Sequence, residues 1–472
     1  MNFSIHTKST DLKALTVFPV LEENAEEAIL KRFGTSMKSS LFSGKMDSSY
    51  ASEIIGNLVL FVGLGTNPKA FEIEKSFRRI LSKNSSLIES EITLDFSGIS
   101  DPTIVLSALT GFQLGAYSIG HFKKEKPKDF AELQVFILSE IDGIEAILSK
   151  SQKIASAKAE AFKLVDLPPN ILTPDYLVEW STKQADKLGL RATFFDEKAA
   201  EKENLKAFLA VGRGSAKPSQ FIILEYRHPK ATKHIGLVGK GVTFDTGGLN
   251  IKTAGMVHMK SDMGGAAAVL GATQLIADLG LEINLTTIVP AVENAVDKDA
   301  YLPSEVIGSH SGLSIEVIDT DAEGRLILAD GLSYMVKNFK PDHLIDFATL
   351  TGSSVGTFGY ECGALFSNDD ELSSALQKAG MATGEKVWPL PIWEAYKSEM
   401  DSEIADIKNY HGKPFAGAIT AAKFLEAFIH DHKSWAHLDI AGVAYGDSEF
   451  SKTKTGTAFG VGLLLKFIEN LS

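Results

Sequence analysis

The stretch Val317-Ile318-Asp319-Thr320-Asp321-Ala322-Glu323-Gly324-Arg325-Leu326 places three carboxylates and an arginine within seven residues, directly after an apolar run. Folded chains rarely crowd like charges unless something positive sits among them, and a hard or borderline divalent cation is the natural candidate. The apolar residues Ile315 to Ile318 read as a strand and Arg325 to Val336 as a helix. The charged run therefore falls where a strand ends and a helix begins.

The same alternation continues on both sides. Ile235 to Val238, Ile283 to Pro290, His343 to Leu350 and Ala436 to Ile440 read as strands. Gly264 to Leu279, Thr420 to Ile429 and Ala458 to Ile468 read as helices. Buried strands separated by amphipathic helices predict an α/β fold with a doubly wound, mostly parallel sheet, whose ligands collect at the carboxyl edges of the strands. Upstream, Leu15 to Val20, Leu58 to Val62 and Leu133 to Leu138 read as strands and Ile104 to Phe122 as a helix. The proline-broken charged stretch from His121 to Lys128 reads as a solvated loop. A polar helix from Ile144 to Val165 runs into Pro168-Pro169-Asn170, where helix must stop. The expected division is a smaller N-terminal α/β domain over 1–150, a connecting helix and linker over 151–170, and a catalytic domain over 171–472. There is no internal repeat and no low-complexity tract.

Bulk composition agrees with two domains, since 472 residues exceed what one core usually supports. A net charge of −13 argues against a general binder of nucleic acid or anionic membranes. The single cysteine, Cys362, excludes an internal disulfide framework and a cysteine-rich zinc site. Met1 to Val20 carries Asp11 and alternating polar residues without a signal pattern. Met263 to Leu281, the most apolar span, is interrupted by Gln274 and Asp278 and reads as a buried helix. The expectation is a cytoplasmic enzyme.

Two clusters could do chemistry. One runs from Val238 to Gly248 and continues through Lys252 to Asp262-Met263-Gly264-Gly265; the other is Asp319 to Arg325. Together they offer Asp245, Asp262, Asp321 and Glu323 as oxygen donors, whose charge two divalent ions would cancel. Two ions roughly 3.5–4 Å apart polarise a carbonyl and acidify water. Lys240 could add a nitrogen ligand if cations and burial depress its pKa. Lys252 and Arg325 remain as positive groups suited to an oxyanion or a small anion.

Rival motifs are weaker. Asp319, Asp321, Glu323, Gly324 and Asp330 fall on calcium-loop positions, but a strand precedes them and Asp330 stands where the pattern wants glutamate. Gly352-Ser353-Ser354-Val355-Gly356 fits a nucleophile elbow with His437 as the nearest base, although glycines and Thr357-Phe358 make a poor start to the required helix. Gly236 to Gly241 lacks the spacer of a phosphate loop, and no H-E-x-x-H is present. His258, His310 and His437 read as packing or surface residues.

Asp319 to Leu326 resembles the N-T-D-A-E-G-R-L signature of the leucyl aminopeptidase family, the two-metal cytosolic aminopeptidases. Val238 to Gly248, Asp262 to Gly265, Thr349 to Gly352, Gly417 to Ala422 and Trp435 to Gly442 match further family blocks in order, as does Pro168-Pro169-Asn170 through Pro174. The likeness covers the chain from about residue 160 onward, leaving the first 150 residues as the family's variable domain. It implies release of N-terminal, apolar residues from peptides by a two-metal hydroxide attack. One ion (zinc or manganese, with magnesium a third option) would be held by Lys240, Asp245, Asp262 and Glu323. The other would be held by Asp245, Asp321 and Glu323. Lys252 would polarise the carbonyl, and Arg325 would hold a bicarbonate serving as general base. Met259, Thr349 and Gly352 would line the first specificity pocket, with the Leu350 carbonyl on the substrate. The resemblance also implies a homo-hexamer. Two departures stand out: Asp319 replaces the signature asparagine beside the substrate, and the stretch from Lys252 to Asp262 is one residue short. Two alternatives stay open, a serine hydrolase through Ser354 and a metal-binding scaffold impaired by Asp319.

Overall fold

The computed structural model describes residues 1–6, 15–54 and 56–471; Asp11 lies outside them. The chain divides into two compact units, Met1–Ala159 with Glu449–Lys452, and Glu160–Ser448 with Thr453–Ser472. The division falls inside the helix Ile144–Asp166, and the return of 449–452 to the first unit had no counterpart in the sequence reading.

The first unit holds a six-stranded sheet in the order Asn2–His6, Gln134–Leu138, Glu91–Asp95, Leu15–Val20, Asn57–Gly63, Ser49–Ile54. The last pair is antiparallel and the others are parallel. The helix expected over Ile104 to Phe122 is Pro102–Leu114, opened by Pro102 and by the Asp101 side chain accepting the Thr103 N–H. It stops early because Gly115 closes the last turn, bonding back to Gly111 and Phe112, and Gly120 then takes a left-handed φ of 104°.

In the second unit the mixed sheet runs Val387–Pro389, Gly363–Ser367, Trp435–Asp439, His343–Ala348, His234–Gly239, Asn284–Asn294, Gln220–Tyr226, Arg191–Phe195, and Gly241–Asp245 also pairs with Asn284–Asn294. The four central strands are parallel. Alternate side chains serve opposite faces. Leu237, Ile345 and Leu438 pack with the helices Gly264–Leu279 and Val461–Glu469. Val238, Leu344 and Trp435 pack with Gly324–Phe339 and Gly417–Glu426. Helices on both faces are what the near-continuous apolar strands require.

One strand assignment is corrected. Ile315 to Ile318 does not join the main sheet. Only Ile315–Glu316 is a strand, in a small sheet with Val306–Ile307 and Ile407–Lys408. Beyond Glu316 the backbone N–H of Ile318 turns to a side chain, that of Asn409, instead of a ladder partner.

Candidate active site

The site begins where a strand breaks. The ladder between His234–Gly239 and His343–Ala348 ends at Gly239 and Phe347, and the Lys240 N–H makes one more bond to the Phe347 carbonyl at 2.9 Å. The chain then pairs only with Asn284–Asn294, through Gly241–Asp245. Lys240 therefore sits at the break and Asp245 at the strand's end, both at the carboxyl edge of the sheet. The helix Gly324–Phe339 starts hard against Lys240. A Cβ at Gly324 would lie 2.4 Å from Lys240 Cε, so only glycine permits that approach. Gly247, at φ 88°, turns the chain back so that a Cβ there would meet Asp321 Oδ1 at 3.0 Å.

Two lysines divide the carboxylates between them. Lys240 Nζ lies 2.7 Å from Asp262 Oδ1 and 2.9 Å from Glu323 Oε1, and donates to the Thr349 carbonyl at 2.9 Å. Lys252 Nζ lies 2.8 Å from Asp245 Oδ2 and 2.5 Å from Asp321 Oδ1. Asp245 Oδ1 accepts from the Gly247 N–H and from Asn294 Nδ2, each at 2.8 Å. Thr349 Oγ1 donates to Asp262 Oδ1 at 2.8 Å. Arg325 is buried, and its Nη1 donates to the Asn409 carbonyl at 2.8 Å.

Electrostatics follow from this crowding. Burial disfavours both ammonium groups, but Asp262, Glu323 and Asp245 around Lys240, and Asp245, Glu323 and Asp321 around Lys252, outweigh it and hold both lysines above the ordinary range. Burial, followed by repulsion from Glu323 and Asp245, pushes the Asp321 carboxyl up to about 7. Burial likewise raises Asp262 and Glu323, and it lowers Arg325. Negative charge is thus in surplus.

The donors fit divalent cations. Asp245, Asp321 and Glu323 present oxygens within 4.8 Å of one another. Asp262 Oδ2 and Glu323 Oε2 are buried carboxylate oxygens without a hydrogen-bond partner. Such oxygens are costly to leave bare and are what zinc, manganese or magnesium accept. Arg325 Nε is also buried without a partner, and among the described residues no carboxylate lies within ion-pair distance of this guanidinium.

Other residues named from sequence fall unevenly. Thr349 joins the Lys240 cluster through both its hydroxyl and its carbonyl. Leu350 is half-buried, with its N–H on Asp439 Oδ1 at 3.1 Å. Gly352 faces open space, with nothing within 4 Å of where a Cβ would be. Met259 is half-buried in the short 3₁₀ turn Met256–Ser261, and its carbonyl accepts the Asp262 N–H at 3.3 Å. Asp319 is half-buried, and its Oδ1 accepts the Asp321 N–H at 2.8 Å. Gly352–Phe358 does form a helix, contrary to the sequence argument, because the Thr351 hydroxyl caps it by accepting from the Ser354 N–H. Ser354 nevertheless points inward, 3% exposed, with its hydroxyl on the Thr351 carbonyl and no imidazole bonded to it. His437 is committed to Asp346, 2.6 Å from its Nδ1.

Several supporting residues escaped the sequence reading. Asn294 bridges Asp245 and the Thr320 carbonyl, which Tyr301 also donates to. Asp439 gathers the N–H groups of Leu350 and Ala441 and the Thr351 hydroxyl. Asn409 gathers the backbone of the acidic loop. A buried amide at the end of an apolar strand, as Asn294 is, was the one available signal.

Comparison with known proteins gives a consistent set of likenesses. A family model described as the cytosol aminopeptidase family, catalytic domain, matches residues 160–465. A probable cytosol aminopeptidase of Chlorobaculum tepidum is 41% identical over 436 residues, spanning 88% of this chain and 86% of the relative. The crystal structure of the cytosol aminopeptidase from Coxiella burnetii superposes with a TM-score of 0.84 at 30% identity, covering 99% of each chain. The bottromycin maturation enzyme BotP, in complex with Mn, gives a TM-score of 0.86 at 29% identity, covering 97% of this chain and 99% of that one.

Proposed function

The chain belongs to the cytosol aminopeptidase family, hydrolases of the leucyl aminopeptidase type, and from that premise we propose that it releases N-terminal apolar residues from peptides using two divalent ions held in its acidic cluster. Lys240, Asp245, Asp262 and Glu323 would hold one ion, and Asp245, Asp321 and Glu323 the other. The observation that carries this reading is the pair of buried, unpartnered oxygens, Asp262 Oδ2 and Glu323 Oε2, beside a three-carboxylate cluster. Zinc, manganese or magnesium are the candidates, and the Mn found with BotP supports trying manganese early. When bound, such ions supply Lewis acidity toward the scissile carbonyl and lower the pKa of water.

The chain's own residues do the rest. Lys252, whose side chain is 16% exposed against 4% for Lys240, is the lysine able to reach a substrate. It donates to the carbonyl oxygen as negative charge develops there. Arg325, buried and without a carboxylate partner, would hold a small anion such as bicarbonate, which would supply a general base when bound. Thr349, Gly352 and Met259 border the pocket for the first side chain, and the open space at Gly352 leaves room for it. The Leu350 carbonyl takes a substrate N–H, and Asp319 flanks the departing portion of the peptide. A homo-hexamer in the cytoplasm completes the reading, supported by family membership; no helix among the described residues is long and apolar enough to cross a membrane.

The test is hydrolysis of a leucine anilide after chelator stripping and refilling with zinc, manganese or magnesium. Loss on stripping and recovery with metal is expected. Stoichiometric metal binding without hydrolysis would contradict it and leave a scaffold impaired at Asp319.

A further inference from the structure

Asn409 is fully buried at the end of the short strand Ile407–Lys408, some ninety positions from the acidic loop in sequence, yet it grips that loop on several sides. Its main-chain N–H donates to the Glu316 carbonyl at 2.9 Å, continuing the pairing of Glu316 with Lys408. Val317 still pairs through its N–H with the Glu305 carbonyl at 2.8 Å, and beyond it the carboxamide takes over. Oδ1 accepts from the Ile318 N–H at 2.8 Å and the Asp319 N–H at 3.3 Å. Nδ2 donates to the Asp319 carbonyl at 2.6 Å and, at 3.4 Å, to the Ala322 carbonyl. The main-chain carbonyl of the same residue holds Arg325 Nη1 at 2.8 Å.

We propose that Asn409 is a positioning residue of the peptidase site, its carboxamide fixing the backbone that carries Asp319 and Asp321 while its carbonyl fixes Arg325. The inference rests on the function proposed above. One planar group must both donate to and accept from the same short stretch of backbone. A primary carboxamide of this reach does so; aspartate has no donor, and an alkyl side chain has neither function. Because the loop and the guanidinium both bond to Asn409, this residue couples the position of one to that of the other. Asn409 also carries no charge, so it adds nothing to the surplus of carboxylates. Asn250 Oδ1 accepts the Thr320 N–H at 3.0 Å, and Tyr301 and Asn294 hold the Thr320 carbonyl, so losing the Asn409 amide would loosen the loop without releasing it.

The test compares the parent with Asn409→Ala and Asn409→Ser in the full-length chain, each stripped by chelator. Calorimetric titration with manganese, leucine-anilide kinetics and thermal melting are read on all three. Manganese affinity is expected to fall about 10–100-fold, the range for groups that orient metal ligands. The fall in kcat should be tenfold or more, with KM within about twofold, as when an interaction matters chiefly in the transition state. In an Asp321→Asn background the Asn409→Ala change should add little, since the amide acts through that loop. Parental manganese affinity and kcat in folded variants would overturn the proposal. So would loss of fold in both variants, which makes Asn409 a purely structural amide. A parent that binds none of manganese, zinc and magnesium would overturn the proposed function itself, and parent isotherms with the three ions report that separately.

Discussion

Lys240 and Lys252 do the same electrostatic work in two different mechanical settings. Lys240 sits at a strand break inside the sheet, with its side chain 4% exposed and pinned by Asp262, Glu323 and the Thr349 carbonyl. Lys252 sits past the Gly247 turn, outside the strand, 16% exposed and pinned only by Asp245 and Asp321. A lysine in the core can neutralise or ligate, but it has no freedom to follow a reacting atom. A lysine outside the sheet can reorient when cations take its carboxylates. The fold thereby separates holding charge from using it.

Replacing each lysine in turn should break that symmetry. Lys252→Ala is expected to lower kcat about 10²–10³-fold, as for loss of an oxyanion donor, with a smaller loss of stability than Lys240→Ala because Asp245 keeps its bonds from the Gly247 N–H and Asn294. Steady-state kinetics beside a thermal melt decide it, and equal losses of stability for the two lysines would erase the distinction. Lys240→Ala should instead destabilise the metal-stripped protein by about 3–5 kcal/mol, because it strands buried carboxylates. Much of that loss should return on adding manganese, which denaturant titration with and without metal would reveal.

The buried face beneath Lys240 offers a pH test. Burial alone would lower His437, but Asp346, and less so Asp439, outweigh it against the opposing Arg325, so its pKa is raised above 6.5. The protonated pair therefore contributes stability below about pH 6.5, lost as pH rises through the folded-state value. Melting temperature measured from pH 6 to 9 should decline more steeply in the parent than in His437→Phe. The smallest effect is expected from Ser354→Ala. Losing its bond to the Thr351 carbonyl should cost about 0.5–1.5 kcal/mol and leave kcat unchanged. A large loss of activity there would revive a serine nucleophile.

What was legible in the sequence was what charge and periodicity advertise. Asp319 to Arg325 stood out because like charges crowd, and the central parallel strands stood out because both of their faces are buried. Gln220–Tyr226 and Arg191–Phe195, the antiparallel strands at one side of the sheet, did not stand out, and neither did the three-residue edge strand Val387–Pro389. Ile315 to Ile318 was misread because an apolar run specifies burial but not which sheet receives it. Asn294, Tyr301, Asn409 and Asp439 escaped because neutral or isolated polar residues carry no local pattern. Their roles arise from contacts across 19 to 90 positions in Tyr301–Thr320 and Asn409–Asp319, for example. The capped helix at Gly352 was missed for a similar reason, since one Thr351 hydroxyl overrode the poor propensity of glycine.

The most direct test of the two-metal claim is anomalous diffraction from crystals of the manganese-refilled protein. The account predicts two peaks per chain, both among Lys240, Asp245, Asp262, Asp321 and Glu323, with Lys252 and Arg325 left unligated. A single peak, or none in that cluster, would contradict it.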